Sequence, residues 1–116
     1  MTVKIITSDL LVEEPHLIDL VDKFISRLPG MHDAIIKTHD TEDWKAFSDL
    51  IHQMKGVGGG YGYPMLTRLC ADIEIAVKEE DFVKVQKQLN EFKFVSEQIL
   101  AGDNENHKIA EANTNR

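Results

Sequence analysis

The sequence predicts an all-α protein: an antiparallel four-helix bundle with an additional N-terminal helical or extended segment. Three observations lead there. Apolar residues recur every three or four positions through several long stretches, the period that lines one face of an α-helix. The links between these stretches are short and carry acidic, proline or glycine residues of the kind that start and stop helices. No stretch makes a convincing strand. Helices on short links lie antiparallel to their neighbours, and four of them suffice to enclose a core.

Residues 1–14 form a short lead-in, in which Val3, Ile5 and Leu10 are free to lie extended against the domain. Glu14-Pro15 opens the first helix, because proline is tolerated in a first turn and acidic side chains favour the positive end of the helix dipole. Leu17, Leu20, Val21, Phe24 and Leu28 then repeat at helical spacing. Pro29-Gly30 either ends this helix or kinks it, and Met31 to His39 continues with Ala34, Ile35 and Ile36. Asp40 to Asp43 offers N-cap chemistry to the next helix, whose apolar seam is Trp44, Phe47, Ile51 and Met54. Tyr61-Gly62 makes a turn. Pro64 opens a third helix with Leu66, Leu69, Cys70, Ile73 and Val77 inward, and Glu80-Asp81 caps a fourth with Phe82, Val85, Leu89, Phe92, Val95 and Ile99 inward. Gly102 stops it. The bundle domain is thus expected over 15–101, and the polar tail 102–116 is expected to be disordered.

A chain of 116 residues is one domain by length, and 42% hydrophobic with 28% charged residues is the balance of an ordinary soluble protein. The net charge of −7, with no basic stripe, argues against nucleic acid as a partner. No apolar run reaches the ~20 residues that span a bilayer, and MTVKIITSDLL lacks the form of a signal peptide, so no membrane association and a cytoplasmic location are expected. The single Cys70 sits on an apolar helical face and reads as a small core residue.

The chemistry concentrates around His52. At about 100° per residue, His52 projects about 120° from the centre of its helix's apolar seam, so it is expected at the exposed flank. Lys45, Ser48, Asp49, Lys55, Gly56 and Gly59 lie three, four or seven residues away and share its surface. Glycines 56, 58, 59, 60 and 62 follow, each disfavoured in a helix by roughly 1 kcal/mol relative to alanine. Close approach of another molecule to the imidazole would account for bare backbone at its side. A solvated imidazole is nucleophilic near neutral pH without an activating triad, and Lys55 one turn along is placed to screen developing negative charge.

The stretch LIHQMKGVGGGYGYPMLTRLCADIE resembles the signature of histidine-containing phosphotransfer (HPt) domains, the carriers of two-component phosphorelays. The pattern is H-x-x-K-G, a second glycine ten residues after the histidine, then an apolar-periodic helix closing in an apolar-Glu pair. His52, Lys55, Gly56, Gly62, Leu66, Leu69, Ile73 and Glu74 occupy those positions, with Pro64 and Cys70 inside the same block. LVDKFISRLPGMHDAI resembles the family's opening helices, so the likeness runs from about residue 8 to about residue 100. The resemblance implies that His52 accepts a phosphoryl group on a ring nitrogen, with Lys55 as electrostatic support. It implies docking of the partner over Lys45, Ser48, Asp49, Gly56 and Gly59, with Gly62, Pro64, Leu66, Cys70, Ile73 and Glu74 as the structural motif. The partners implied are response-regulator receiver domains and a hybrid sensor histidine kinase. The receiver would bring the aspartyl phosphate, the Mg2+ and most catalytic groups, so this chain would bind no cofactor and act as a carrier rather than an enzyme.

Competing readings are weaker. The glycine run lacks the G-x-x-x-x-G-K-[ST] order and the preceding strand of a nucleotide loop. His32 and His39 share a helix face, but seven residues is too far for both to reach one ion; no metal is expected and both read as solvated. Tyr61 and Tyr63 read as packing the bend. Phe94 falls opposite the seam of its helix, either under the lead-in or exposed at a contact surface. A helical adaptor that binds a receiver without phosphotransfer is the alternative function; an autonomous kinase would need an ATP-binding domain that the chain has no room for. One chain supplies enough helices for a bundle, so a monomer is expected.

Overall fold

The structure is a computed structural model that describes residues 4–114. Two short 3-10 turns, Asp9–Leu11 and Pro15–Leu17, lead into five helices: α1 (Ile18–Asp40), α2 (Trp44–Gly60), α3 (Pro64–Lys78), α4 (Phe82–Ala101) and α5 (Asp103–Thr114). No strand occurs among the described residues. α1 packs on α2, α2 on α3, α3 on α4, and α4 back on α1, which closes the predicted four-helix bundle. The lead-in residue Val3 lies outside the described residues.

Each helix buries the face its sequence marks, except that Phe82, expected inward, is exposed at the start of α4, where it stacks on Trp44. Val21, Phe24, Ile25, Leu28 and Ile35 come from α1, Phe47, Ile51 and Met54 from α2, Leu66, Leu69, Cys70, Ile73 and Ala76 from α3, and Val85, Leu89, Phe92 and Ile99 from α4. Each of the larger side chains (Val, Leu, Ile, Phe and Met) contributes on the order of 1.5–3 kcal/mol by leaving water. Leu20, expected inward, is exposed, because the buried arc of α1 runs through Val21, Phe24 and Ile25 instead. Pro29-Gly30 neither ends nor interrupts α1: both residues face solvent, where a missing backbone donor is tolerated.

The three links are the same turn. Asp43 N donates to Thr38 O and Glu42 N to His39 O, Tyr63 N to Gly58 O and Gly62 N to Gly59 O, Asp81 N to Ala76 O and Glu80 N to Val77 O. Each is a Schellman closure with its C′ residue at positive φ, namely Glu42 (57°), Gly62 (91°) and Glu80 (55°). Asp43 and Asp81 then cap the following helices, accepting from Ala46 N and Lys84 N at 3.2 Å, as their positions predicted.

The expectation of a disordered tail is corrected at residues 103–114. Gly102 ends α4, but α5 begins at the next residue and folds back over the lead-in and α1, burying Asn106 and Ala110. The periodic signal is faint because the fully buried residue of this helix is an asparagine rather than an apolar side chain. His32 and His39 are also corrected. Most of each ring is buried: His32 stacks on Phe92 with centroids 5.5 Å apart, and His39 meets Trp44 edge-on at 5.6 Å.

Candidate functional site

α2 holds His52 at its exposed flank, with 72% of the side chain accessible. The reason is the seam: Phe47, Ile51 and Met54 commit the opposite arc of the helix to the core. One side of the imidazole is nevertheless tied. His52 Nδ1 lies 3.2 Å from Oε1 of Glu74 on α3, and the other oxygen of that carboxylate, Oε2, lies 3.3 Å from Lys55 Nζ. Glu74 is only 18% exposed and Lys55 30%, so the bridge is sheltered while the ring itself reaches solvent. A carboxylate accepts but does not donate, so the proton of the neutral ring belongs on Nδ1, and Nε2 keeps its lone pair.

The approach of α3 to α2 sets this geometry, and the glycines permit it. A Cβ on Gly58 would stand 2.7 Å from Leu66 Cβ, and one on Gly59 2.6 Å from Thr67 Oγ1. Thr67 Oγ1 in turn donates to the Lys55 carbonyl at 2.7 Å. Gly56 and Gly60 have nothing within 4 Å of where a Cβ would stand, so no neighbour within the chain requires them to be glycine. Gly59, expected to clear ground for a partner, therefore has an internal reason to be small, and Gly56 has none.

The other expected residues fall into place as follows. Lys45 and Asp49 are exposed and pair with each other at 3.8 Å, too solvated to contribute much stability. Ser48 is half-buried on the same helix. Leu66, Cys70 and Ile73 are core, Pro64 opens α3, and Gly62 makes the turn. Burial, then the Glu74 charge, push the Cys70 thiol up to about 12, against the opposing pull of Lys55, so it is no nucleophile near neutral pH. Tyr61 stacks on Phe24 with centroids 5.1 Å apart, and Tyr63 tilts against the same ring at 5.7 Å, so both pack the bend. Phe94 is 54% exposed on α4, the second of its two expected placements.

Sequence reasoning placed Glu74 only in the structural motif and missed its contact with His52. A signal existed. Gly59 and Thr67 stand three before and five after Gly62, and His52 and Glu74 stand ten before and twelve after, so one hairpin register pairs both sets. Among the described residues, Asp22, Asp103 and His107 are a group with donor atoms close enough to share a metal ion, all within 4.8 Å of one another. They belong to α1 and α5, not to the helix of His52. There His107 Nε2 lies 2.8 Å from Asp22, and the Asp103 carboxyl is pushed up by burial and by the neighbouring Asp22, with His107 opposing.

The fold and this site together make a four-helix bundle that presents one accessible histidine, with a lysine one turn on and glycines beside it. Residues 19–102 match the family model described as Hpt domain, a span covering α1 to α4. The chain belongs to the Hpt domain family, and its role is that of a phosphotransfer carrier in phosphorelays. No curated protein and no solved structure matches it. No helix among the described residues is long and apolar enough to cross a membrane.

Proposed function

We propose that His52 is the phospho-acceptor, and that it takes the phosphoryl group on Nε2 from a receiver-domain aspartate, that of a response regulator or of a hybrid sensor kinase, and hands it to a second receiver. The observation that carries this reading is the bond between Nδ1 and Glu74, which leaves the accessible ring with a lone pair on its outer nitrogen. In the step, that lone pair forms the N–P bond as the P–O bond of the aspartyl phosphate breaks, and the aspartate leaves as a carboxylate. The ring keeps its Nδ1 proton and becomes cationic, a charge that Glu74 stabilises from 3.2 Å. Lys55 holds the far oxygen of Glu74 and adds positive charge one turn from the incoming phosphoryl group.

The receiver supplies the Mg2+ and the remaining catalytic groups; this chain contributes nucleophile, orientation and clearance. Docking over the exposed flank uses Gly56, where a partner backbone meets no side chain, the solvated Lys45 and Asp49, and the half-buried Ser48 nearby. A cytoplasmic monomer fits this role. The reading is tested by mixing the protein with a phosphorylated receiver and following label that is acid-labile and alkali-stable. Label is expected on the wild type and absent from His52→Gln. A His52→Gln chain that labels as well as wild type would return the molecule to the adaptor reading, in which binding survives without transfer.

A further inference from the structure

The end of the bundle where α2 turns into α3 is held from outside the family-matched region. Four of the last five residues of α2 (Gly56, Gly58, Gly59 and Gly60) are glycine. Together they disfavour helix by about 4 kcal/mol relative to alanine. The last turn of α2 therefore does not stand on its own propensity. On one side it leans on Leu66 and Thr67 of α3. At its tip it is bonded by the lead-in. Ser8 Oγ donates to the Tyr61 carbonyl at 2.6 Å, and Asp9 N to the Gly62 carbonyl at 2.8 Å.

Asn106 of α5 joins these parts. Its side chain is fully buried. Its Oδ1 accepts from Ser8 N at 2.9 Å, and its Nδ2 donates to Tyr63 Oη at 3.1 Å. Both ends of the amide are therefore used, one on the lead-in and one on the turn, and the backbone donor at Ser8 fixes which end is the oxygen. Removing the amide would leave a buried backbone N–H and a buried phenol without partners, a far larger effect than losing a surface bond. α5 is also tied to α1 through His107 and Asp22 at 2.8 Å, but that pair is partly solvated and contributes less.

We propose that Asn106 is a positioning residue for the acceptor helix: by clamping Ser8 to Tyr63 it keeps the glycine-rich end of α2 helical, and so holds His52 in register with Glu74. The last link rests on the phosphotransfer reading above. The distance is short in helical terms. By the i to i−4 rule the Gly56 N–H belongs to the His52 carbonyl, so fraying from Gly60 back to Gly56 unpicks the backbone bond of the histidine itself. Residues 103–114 thereby acquire a task that the four-helix match, ending at 102, does not contain.

The test compares the full-length wild type with Asn106→Leu, which keeps the volume and removes both bonds. Amide hydrogen exchange over 56–60 is expected to accelerate about tenfold, with the α4 core around Phe92 little changed. Nitrogen-edited imidazole spectra should show His52 losing its preference for the Nδ1 proton, and transfer from a phosphorylated receiver should slow at saturation while its KM holds. Tyr63→Phe, which cuts only the Asn106 Nδ2 to Tyr63 Oη bond of the clamp, is expected to give the same local pattern at smaller size, and it serves where Asn106→Leu does not fold. Unchanged exchange over 56–60, or a rise spread evenly over the whole bundle, would overturn the proposal. Exchange and spectra need no receiver. A wild type that never takes label, with the clamp effects present, would remove the phosphotransfer reading and leave the clamp standing.

Discussion

The two sides of the α2 glycine run have different neighbours. Toward α3, Gly58 and Gly59 are pressed by Leu66 and Thr67, and a methyl group at either would displace them. Away from the bundle, Gly56 and Gly60 meet nothing. The same residue type therefore answers two requirements. The inner glycines let α3 approach closely enough for Glu74 to reach His52. The outer ones leave open ground on the exposed side of the helix. A helix this poor in propensity persists because its packing and its clamped turn offset the deficit.

The largest effect should come at the turn itself. Gly62 sits at φ 91°, and a Cβ there would collide with Ser8 Oγ and stand 2.7 Å from Leu10 N. Gly62→Ala is therefore expected to destabilise the protein by about 3 kcal/mol or more, read from the urea midpoint. Glu42 and Glu80 hold the same turn with a side chain attached, but at φ 57° and 55° and in exposed positions; at Gly62 the backbone at 91° and the covering lead-in both oppose a side chain. A Gly62→Ala chain as stable as wild type would mean that the lead-in does not cover the turn.

A second probe is the phenol beneath that turn. Burial pushes Tyr63 up to about 12 from its ordinary 10.0; the Asn106 bond pulls the other way, and Asp103, Asp22 and Asp9 add to the rise. The unfolded chain then ionises first. Stability is full below pH 10 and falls as pH climbs toward 12, by about 2 kcal/mol from this group. The difference between wild type and Tyr63→Phe, measured by denaturation at each pH, isolates that fall from lysine titration. A difference that stays constant across the window would show that the phenol is hydrated.

Most of the bundle was legible because apolar period is a strong signal: four helices, two aspartate caps and the exposed flank of His52 follow from spacing alone. α5 was not, since spacing analysis counts apolar residues and this helix turns Asn106, Ile109, Ala110 and Asn113 inward or part-way inward. The spacing is helical; the residue types disguise it. The burial of His32 and His39 was hidden for a similar reason, because histidine faces stack on aromatic rings without looking hydrophobic. Glu74 was visible as a motif position but not as a partner of His52, because pairing across two helices depends on their register rather than on distance along the chain.

The smallest effect in stability is the most informative about function. Gly56→Ala adds a methyl group that meets nothing, so the gain in helix propensity should stabilise the protein by roughly 0.5–1 kcal/mol. Gly58→Ala gains the same propensity but forces Leu66 to shift from 2.7 Å, and overpacking of that kind should leave it net destabilised by about 1 kcal/mol. Opposite signs at two glycines two residues apart would confirm that one faces the bundle and the other does not. Transfer then separates clearance from mere tolerance. If open ground beside His52 serves a docking receiver, Gly56→Leu should fold at least as well as wild type and yet take phosphoryl groups more slowly, through a weaker complex rather than a slower step. A Gly56→Leu chain that is stable and labels at the wild-type rate would mean that the receiver approaches from elsewhere, and that this glycine answers to nothing outside the chain.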